Sequence, residues 1–169
     1  VLRDRVARAG DGAGGNERIL GWSWVGADGW AVATDRAFRA VTGAAEVGGS
    51  DLAPLVIPWS RVAKARWADG TLELIGTPLG AAAVSRFAFD VGEEGRLAEA
   101  VQVAVTDSLL WEQRVEDADG RGALVVARRG DDGSADWTVV FDRGIDPSDS
   151  AVRAWADAQL EQVRTQTGL

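Results

Sequence analysis

Arg61-Val62-Ala63-Lys64-Ala65-Arg66-Trp67-Ala68-Asp69-Gly70-Thr71-Leu72-Glu73-Leu74-Ile75 spells two short strands folded on an Asp-Gly turn. That dipeptide supplies the backbone angles of a two-residue hairpin. On the returning strand Leu72 and Leu74 share a face and point to a core, while on the outgoing strand Lys64 and Arg66 share the solvent face. The same grammar extends upstream. Arg18–Val25 alternates, with Leu20, Trp22 and Trp24 on one face, and Gly26-Ala27-Asp28-Gly29 is a tight connection. Trp30–Thr34 returns with Trp30, Val32 and Thr34 aligned, and Ala37–Val41 follows the Asp35-Arg36 corner. A loop, 44–54, leads to the short strand Leu55–Ile57, which Pro58 ends. Downstream, Val84–Phe89 places Phe87 and Phe89 together. Seven strands within about 75 residues is the density of a β-barrel or sandwich.

The period then changes. Over Glu93–Val115 the residues Leu97, Val101, Val105 and Leu109 recur at helical spacing, which predicts one amphipathic helix. Val103, Leu110 and Trp111 fall off that stripe, so the helix is expected to be covered on its outer face too. Gly122–Arg129 and Asp136–Asp142 read as a hairpin around Gly130-Asp131-Asp132-Gly133. Asp146-Pro147-Ser148-Asp149 opens a last helix running to about Gln166, with Asp146 or Ser148 as the expected cap. Its stripe is Val152, Trp155, Ala156, Leu160 and Val163.

Seven strands followed by one helix resemble a pleckstrin-homology-like (PH-like) domain of the bacterial type. Glu17-Arg18-Ile19-Leu20, Ala33-Thr34-Asp35-Arg36-Ala37-Phe38, Ile57-Pro58-Trp59-Ser60-Arg61-Val62 and the Asp69–Leu74 hairpin carry the resemblance, which covers residues 17–114. The whole chain is similar to uncharacterised actinobacterial proteins. The resemblance implies an α+β chain in three parts. These are a flexible segment 1–16, a PH-like barrel or sandwich 17–115 capped by its helix, and a hairpin-plus-helix extension 116–169 packed on it. Lipid-binding members place Lys and Arg around the first hairpin. Gly26-Ala27-Asp28-Gly29 is small and acidic instead.

Composition narrows the chemistry. The 169 residues include no histidine, cysteine, tyrosine or methionine, but 8 tryptophans. The usual proton shuttle, soft metal ligand and thiolate nucleophile are therefore missing. The serines have no histidine beside them, and Lys64 is the only lysine. Among the carboxylates, Glu93-Glu94 reads as a helix start, Asp131-Asp132 as a hairpin tip, and Asp142, Asp146 and Asp149 as the approach to the last helix. Asp117-Ala118-Asp119-Gly120 begins like a calcium loop but lacks its closing glutamate. The glycine-rich stretch 10–16 lacks the Lys-Ser/Thr pair of a phosphate loop. No catalytic, metal or cofactor site is expected.

A net charge of −8 opposes binding to nucleic acid or to an anionic membrane. No apolar run approaches the roughly 20 residues of a membrane span. A cytoplasmic protein is expected. Arg61, Lys64 and Arg66 form the one compact basic patch, a candidate contact for an acidic partner or a phosphate. The sequence thus predicts a non-catalytic interaction module with a protein partner. Small-ligand or anionic-headgroup binding is the alternative, and a carboxylate enzyme the third reading. A monomer is expected, because one chain holds enough helix to cover its added hairpin; a symmetric homodimer is the alternative.

Overall fold

A computed structural model describes residues 17–27, 29–41, 55–81, 83–92, 96–130 and 132–169. The expected flexible segment 1–16, the loop 44–54, Asp28, the pair Glu93-Glu94 and Asp131 lie outside the described residues. Within them the chain is α+β, with ten strands in three antiparallel sheets and two α-helices. The sheets are separate and do not close into a barrel.

The first sheet has the order β1–β2–β3–β4: Ile19–Val25, Gly29–Thr34, Ala37–Val41 and Leu55–Pro58. A 3-10 turn, Trp59–Arg61, carries the chain into a second sheet of β5 (Val62–Ala68), β6 (Thr71–Gly76) and β7 (Ser85–Asp90). The Asp69-Gly70 hairpin forms as its sequence predicts, with both residues at positive φ. Thr34 pins the β2–β3 corner: its hydroxyl donates to the Ala37 carbonyl and accepts from the Arg36 and Ala37 amides. The Trp59 indole N–H closes the same corner on the Thr34 carbonyl at 2.8 Å. On the outer side of the first sheet, Arg39 of β3 is held by Glu17 through two charge-assisted hydrogen bonds of 2.7 and 3.0 Å.

The two sheets and helix α1 (Leu97–Ser108) enclose one core, with Phe38, Ile57, Leu72, Leu74, Leu97 and Val101 at its centre. The helix needs close approach to β1, and β1 supplies it with small residues. Gly21 and Ser23 face the core, so the Trp22/Trp24 set lies on the opposite face. A Cβ on Gly21 would stand 2.7 Å from the Arg96 carbonyl oxygen and 2.8 Å from the Ala100 Cβ.

The expected helix over Glu93–Val115 is corrected. The chain leaves helix at Ser108 and runs directly into β8, Leu109–Glu116. This strand pairs with β9 (Gly122–Arg129), which pairs in turn with β10 (Ala135–Phe141), giving the third sheet. The hairpin predicted from sequence is therefore two strands of a three-stranded meander. Central β9 is apolar on both faces and offers a ladder on both edges, and β8 satisfies the second one. The expected cover over the outer face of α1 is also corrected. Val103 is 50% exposed, and Leu110 and Trp111 belong to the strand rather than the helix.

Helix α2, Ser150–Thr167, covers one face of the third sheet, with Val163, Trp155 and Leu160 against Val115, Ala123, Val125 and Val139. It starts later than the sequence suggests. Asp149 is the cap, accepting from the Ala151 and Val152 amides, so Pro147 precedes the helix. Asp146 instead accepts from the Ser148 amide and hydroxyl and shapes the approach. The opposite face of β9 carries Val126 and Arg128, both buried. Arg128 reaches the second sheet and the end of α1, donating to the Ala63 carbonyl, the Val105 carbonyl and the Ser108 hydroxyl.

The tryptophans divide unevenly. Trp30 and Trp59 are buried, whereas Trp24, Trp67 and Trp111 are 43%, 40% and 42% exposed.

Candidate functional site

The β5–β6–β7 ladder distributes the basic residues singled out in the sequence. Lys64 and Arg66 alternate with Ala65 and Trp67 and stand exposed on the outer face of β5. Lys64 lies opposite Ile75, which lies opposite Arg86, so these three form one row across the sheet. Arg66 lies opposite Glu73 in the next row. Arg61 stands off this ladder in the 3-10 turn, where its carbonyl accepts from the Thr77 amide at 3.0 Å. Sequence reasoning missed Arg86. The signal is its place between Ser85 and Phe87, on the opposite side of β7 from the core residue Phe89.

β5 is an edge strand. Ala63 at its start is engaged by Arg128. From Lys64 to Ala68 its free edge makes no backbone hydrogen bond to a further strand among the described residues. Between this edge and α1 runs a groove of about 520 Å³, lined by Ala65, Trp67, Leu72, Val101, Val105 and Gln102 among others. An extended segment laid along β5 would present alternate side chains to the apolar groove and to the Lys64/Arg66 face.

A second cavity, about 590 Å³, opens where the outer face of β6 and β7 meets β10, the turn 142–147 and the first half of α2. Its lining is mostly apolar and includes Arg86, Arg143 and Arg153 beside Asp142 and Asp157. It lies within the size range of small-molecule sites.

The carboxylates are arranged for structure. Asp142 receives a two-pronged contact from Arg114, at 2.7 and 3.1 Å, and those hydrogen bonds hold its carboxyl below the usual aspartate range. Asp132 and Asp146 are held low by the hydroxyls and amides of Ser134 and Ser148. The calcium-like stretch at Asp117 is a local turn, in which that carboxylate accepts from the Asp119 and Arg121 amides and pairs with the Arg121 side chain. Among the described residues no group of three or more Asp, Glu, His or Cys is disposed to hold a metal ion. Among the same residues no helix is long and apolar enough to cross a membrane.

Among the described residues two cations are strongly perturbed, Arg114 upward by its hydrogen bonds to Asp142 and Glu116 and Arg128 downward. Burial draws the Arg128 guanidinium down to about 10, with the Glu112 carboxylate acting in the other direction. Its Nε has no hydrogen-bond partner. The last turn of α1 has no glycine cap, and Arg128 meets its negative end, taking the Val105 carbonyl. No family model, curated protein or solved structure matches this chain.

Proposed function

We propose that the chain is a cytoplasmic, non-catalytic interaction module of PH-like architecture. In this reading residues 17–115 are the module and residues 116–169 an extension docked on it through Arg128. Supporting the architecture are a four-stranded sheet, a three-stranded sheet and a single following helix packed into the core between them. The observation that carries the function is the unpaired edge of β5 beside the α1 groove. It suits an extended acidic segment of a partner protein. Main-chain hydrogen bonds to the edge would supply affinity, and alternating side chains the specificity. Apolar residues of that segment would enter beside Trp67 and Val105, and acidic ones would meet Lys64 and Arg66.

Panning a random peptide library against the whole chain tests this. The expected binders alternate apolar and acidic residues, and they lose affinity for a folded Lys64→Glu, Arg66→Glu variant. Binders indifferent to that variant, or none, would sink the proposal. The row Lys64–Ile75–Arg86, with Arg61 nearby in sequence, favours an anionic headgroup as the second reading. A thermal-shift panel of inorganic phosphate and soluble headgroups separates it, because that reading expects stabilisation that is lost in the Lys64→Glu variant.

A further inference from the structure

The cavity between β6–β7, β10 and α2 shares no lining residue with the β5–α1 groove, and the peptide-binding proposal leaves it unused, although the headgroup reading shares Ile75 and Arg86 with it. Its charge is unusual for this molecule. The chain carries −8 overall, yet three arginines line this one cavity. None of the three forms an ion pair among the described residues. Two are held in place by neutral acceptors: Arg86 donates to the Phe141 carbonyl at 3.3 Å and Arg153 to the Ser148 carbonyl at 3.1 Å. Such tethers fix a guanidinium and leave its other N–H groups available for an oxyanion, although the Asp142 carboxylate acts on Arg86 and the Asp146 carboxylate on Arg153 from nearby. Asp142, which also lines the cavity, is already occupied by Arg114. Asp157 is the remaining acidic group on the wall.

Beside the arginines the wall is hydrocarbon, from Ile75, Val84, Val139, Ile145, Pro147 and Ala156. The turn bearing Ile145 and Pro147 is preformed: the Asp142 amide donates to Gly122, the Ile145 amide to Asp142, and the Ser148 amide to the Asp146 side chain. We propose that this cleft binds a small amphiphilic carboxylate, its apolar body between Ile75 and Ile145 and its carboxylate on Arg143 and Arg86. The class follows from the two halves of the site. A hydrocarbon wall of this size selects an apolar body, and planar forks free of a direct ion pair suit an oxyanion, of which a carboxylate is the smallest planar match.

The four isoleucines allow a direct test, since Ile75 and Ile145 line the cleft, Ile57 is buried in the core and Ile19 is exposed at the start of β1. Isoleucine-methyl-labelled protein is titrated with dodecanoate below its micelle concentration. Saturable shifts are expected at Ile75 and Ile145, with Ile57 and Ile19 unmoved. Arg143→Gln, exposed and outside the core, should weaken binding by about tenfold, as loss of one charge-assisted contact implies. Dodecanol should bind more weakly than dodecanoate. Three results would overturn the proposal: no saturable shift at Ile75 and Ile145, equal binding of dodecanol, or dodecanoate binding unchanged in folded Arg143→Gln and Arg86→Gln variants. Arginine-dependent binding to phosphatidylglycerol vesicles without a response to monomeric dodecanoate would overturn it in favour of a lipid surface.

Discussion

The guanidinium of Arg128 donates to the backbone carbonyl of Ala63 at 3.1 Å, across 65 positions of sequence. The same side chain holds the Val105 carbonyl and the Ser108 hydroxyl, so one residue of β9 joins β5, the end of α1 and the third sheet. Arg128→Met keeps the apolar stem but leaves these acceptors without their donor. Relief of the buried charge opposes that loss, yet the α1 terminus already offsets part of the charge's cost. The acceptors win. Loss of about 1–3 kcal/mol is expected, at the scale of an unsatisfied buried polar group. Urea unfolding measures it, and an unchanged midpoint would show that the contacts contribute nothing net.

Truncation tests the same seam more severely. A chain ending at Glu116 loses Arg128 and leaves β8 with no partner strand. That fragment is expected to aggregate or to melt well below the whole chain. A soluble, monomeric fragment with an unaltered melting temperature would mean that residues 117–169 only rest on the module.

Gly21 makes a sharper local prediction. Its missing side chain lets α1 approach β1, and both atoms nearest to an added Cβ belong to the α1 side of the contact. Gly21→Ala must push the helix outward or bend the strand, at about 1–3 kcal/mol for overpacking of this kind. The thermal melt of the variant reads it directly. Gly26→Ala meets no neighbour within 4 Å and strains only its backbone, so it should cost less.

Residues such as Gly21 mark where sequence reading reaches its limit. All seven strands of the first two sheets lie within a residue or two of where alternation and turn chemistry put them, because each strand carries its own signal. The face of β1 does not. Its tryptophans are the conspicuous residues, yet Gly21 and Ser23 are inward for the sake of a helix some 75 positions later, about one domain-length of chain away. The end of α1 failed for a related reason. Leu109 continues the helical stripe from Val105, while Trp111, Gln113 and Val115 against Glu112, Arg114 and Glu116 already alternate. Local pattern permits both states, and β9 decides by offering a ladder. Lys64 and Arg66 were legible as a shared face. The arginine cluster was not, because β7, the 142–147 turn and α2 meet only in three dimensions.

Asp142 carries the pH prediction. Hydrogen bonds from Arg114 hold its folded pKa below the unfolded value of about 3.9. A carboxylate shifted down contributes stability that is complete above that unfolded value. The contribution is lost as the pH falls through the lower, folded one. Asp142→Asn should therefore be less stable than the parent near neutrality, and the gap should close below about pH 4. Both residues are well exposed, so the effect is expected to shrink in high salt. Melting temperatures of both proteins across an acid series measure it. A gap that persists undiminished at low pH would assign the loss to packing rather than charge.

The last prediction concerns self-association. β9 is buried on both faces within one chain, with Val125 on the α2 side and Arg128, on the other, reaching β5 and the end of α1. No second copy is needed to cover it. Strand β8 still leaves an open edge, with Trp111 partly in water, and such an edge invites pairing. Its side chains discourage that outcome. Glu112, Arg114 and Glu116 lie along one face; a twofold pairing centred on Arg114 would set like charges opposite each other, and in the neighbouring registers Arg114 is already engaged by Glu116 and Asp142 of its own chain. Light scattering over a range of concentrations should therefore return the monomer mass. A concentration-independent dimer would overturn this and place β8 at the interface, where Trp111→Glu would be expected to dissolve it.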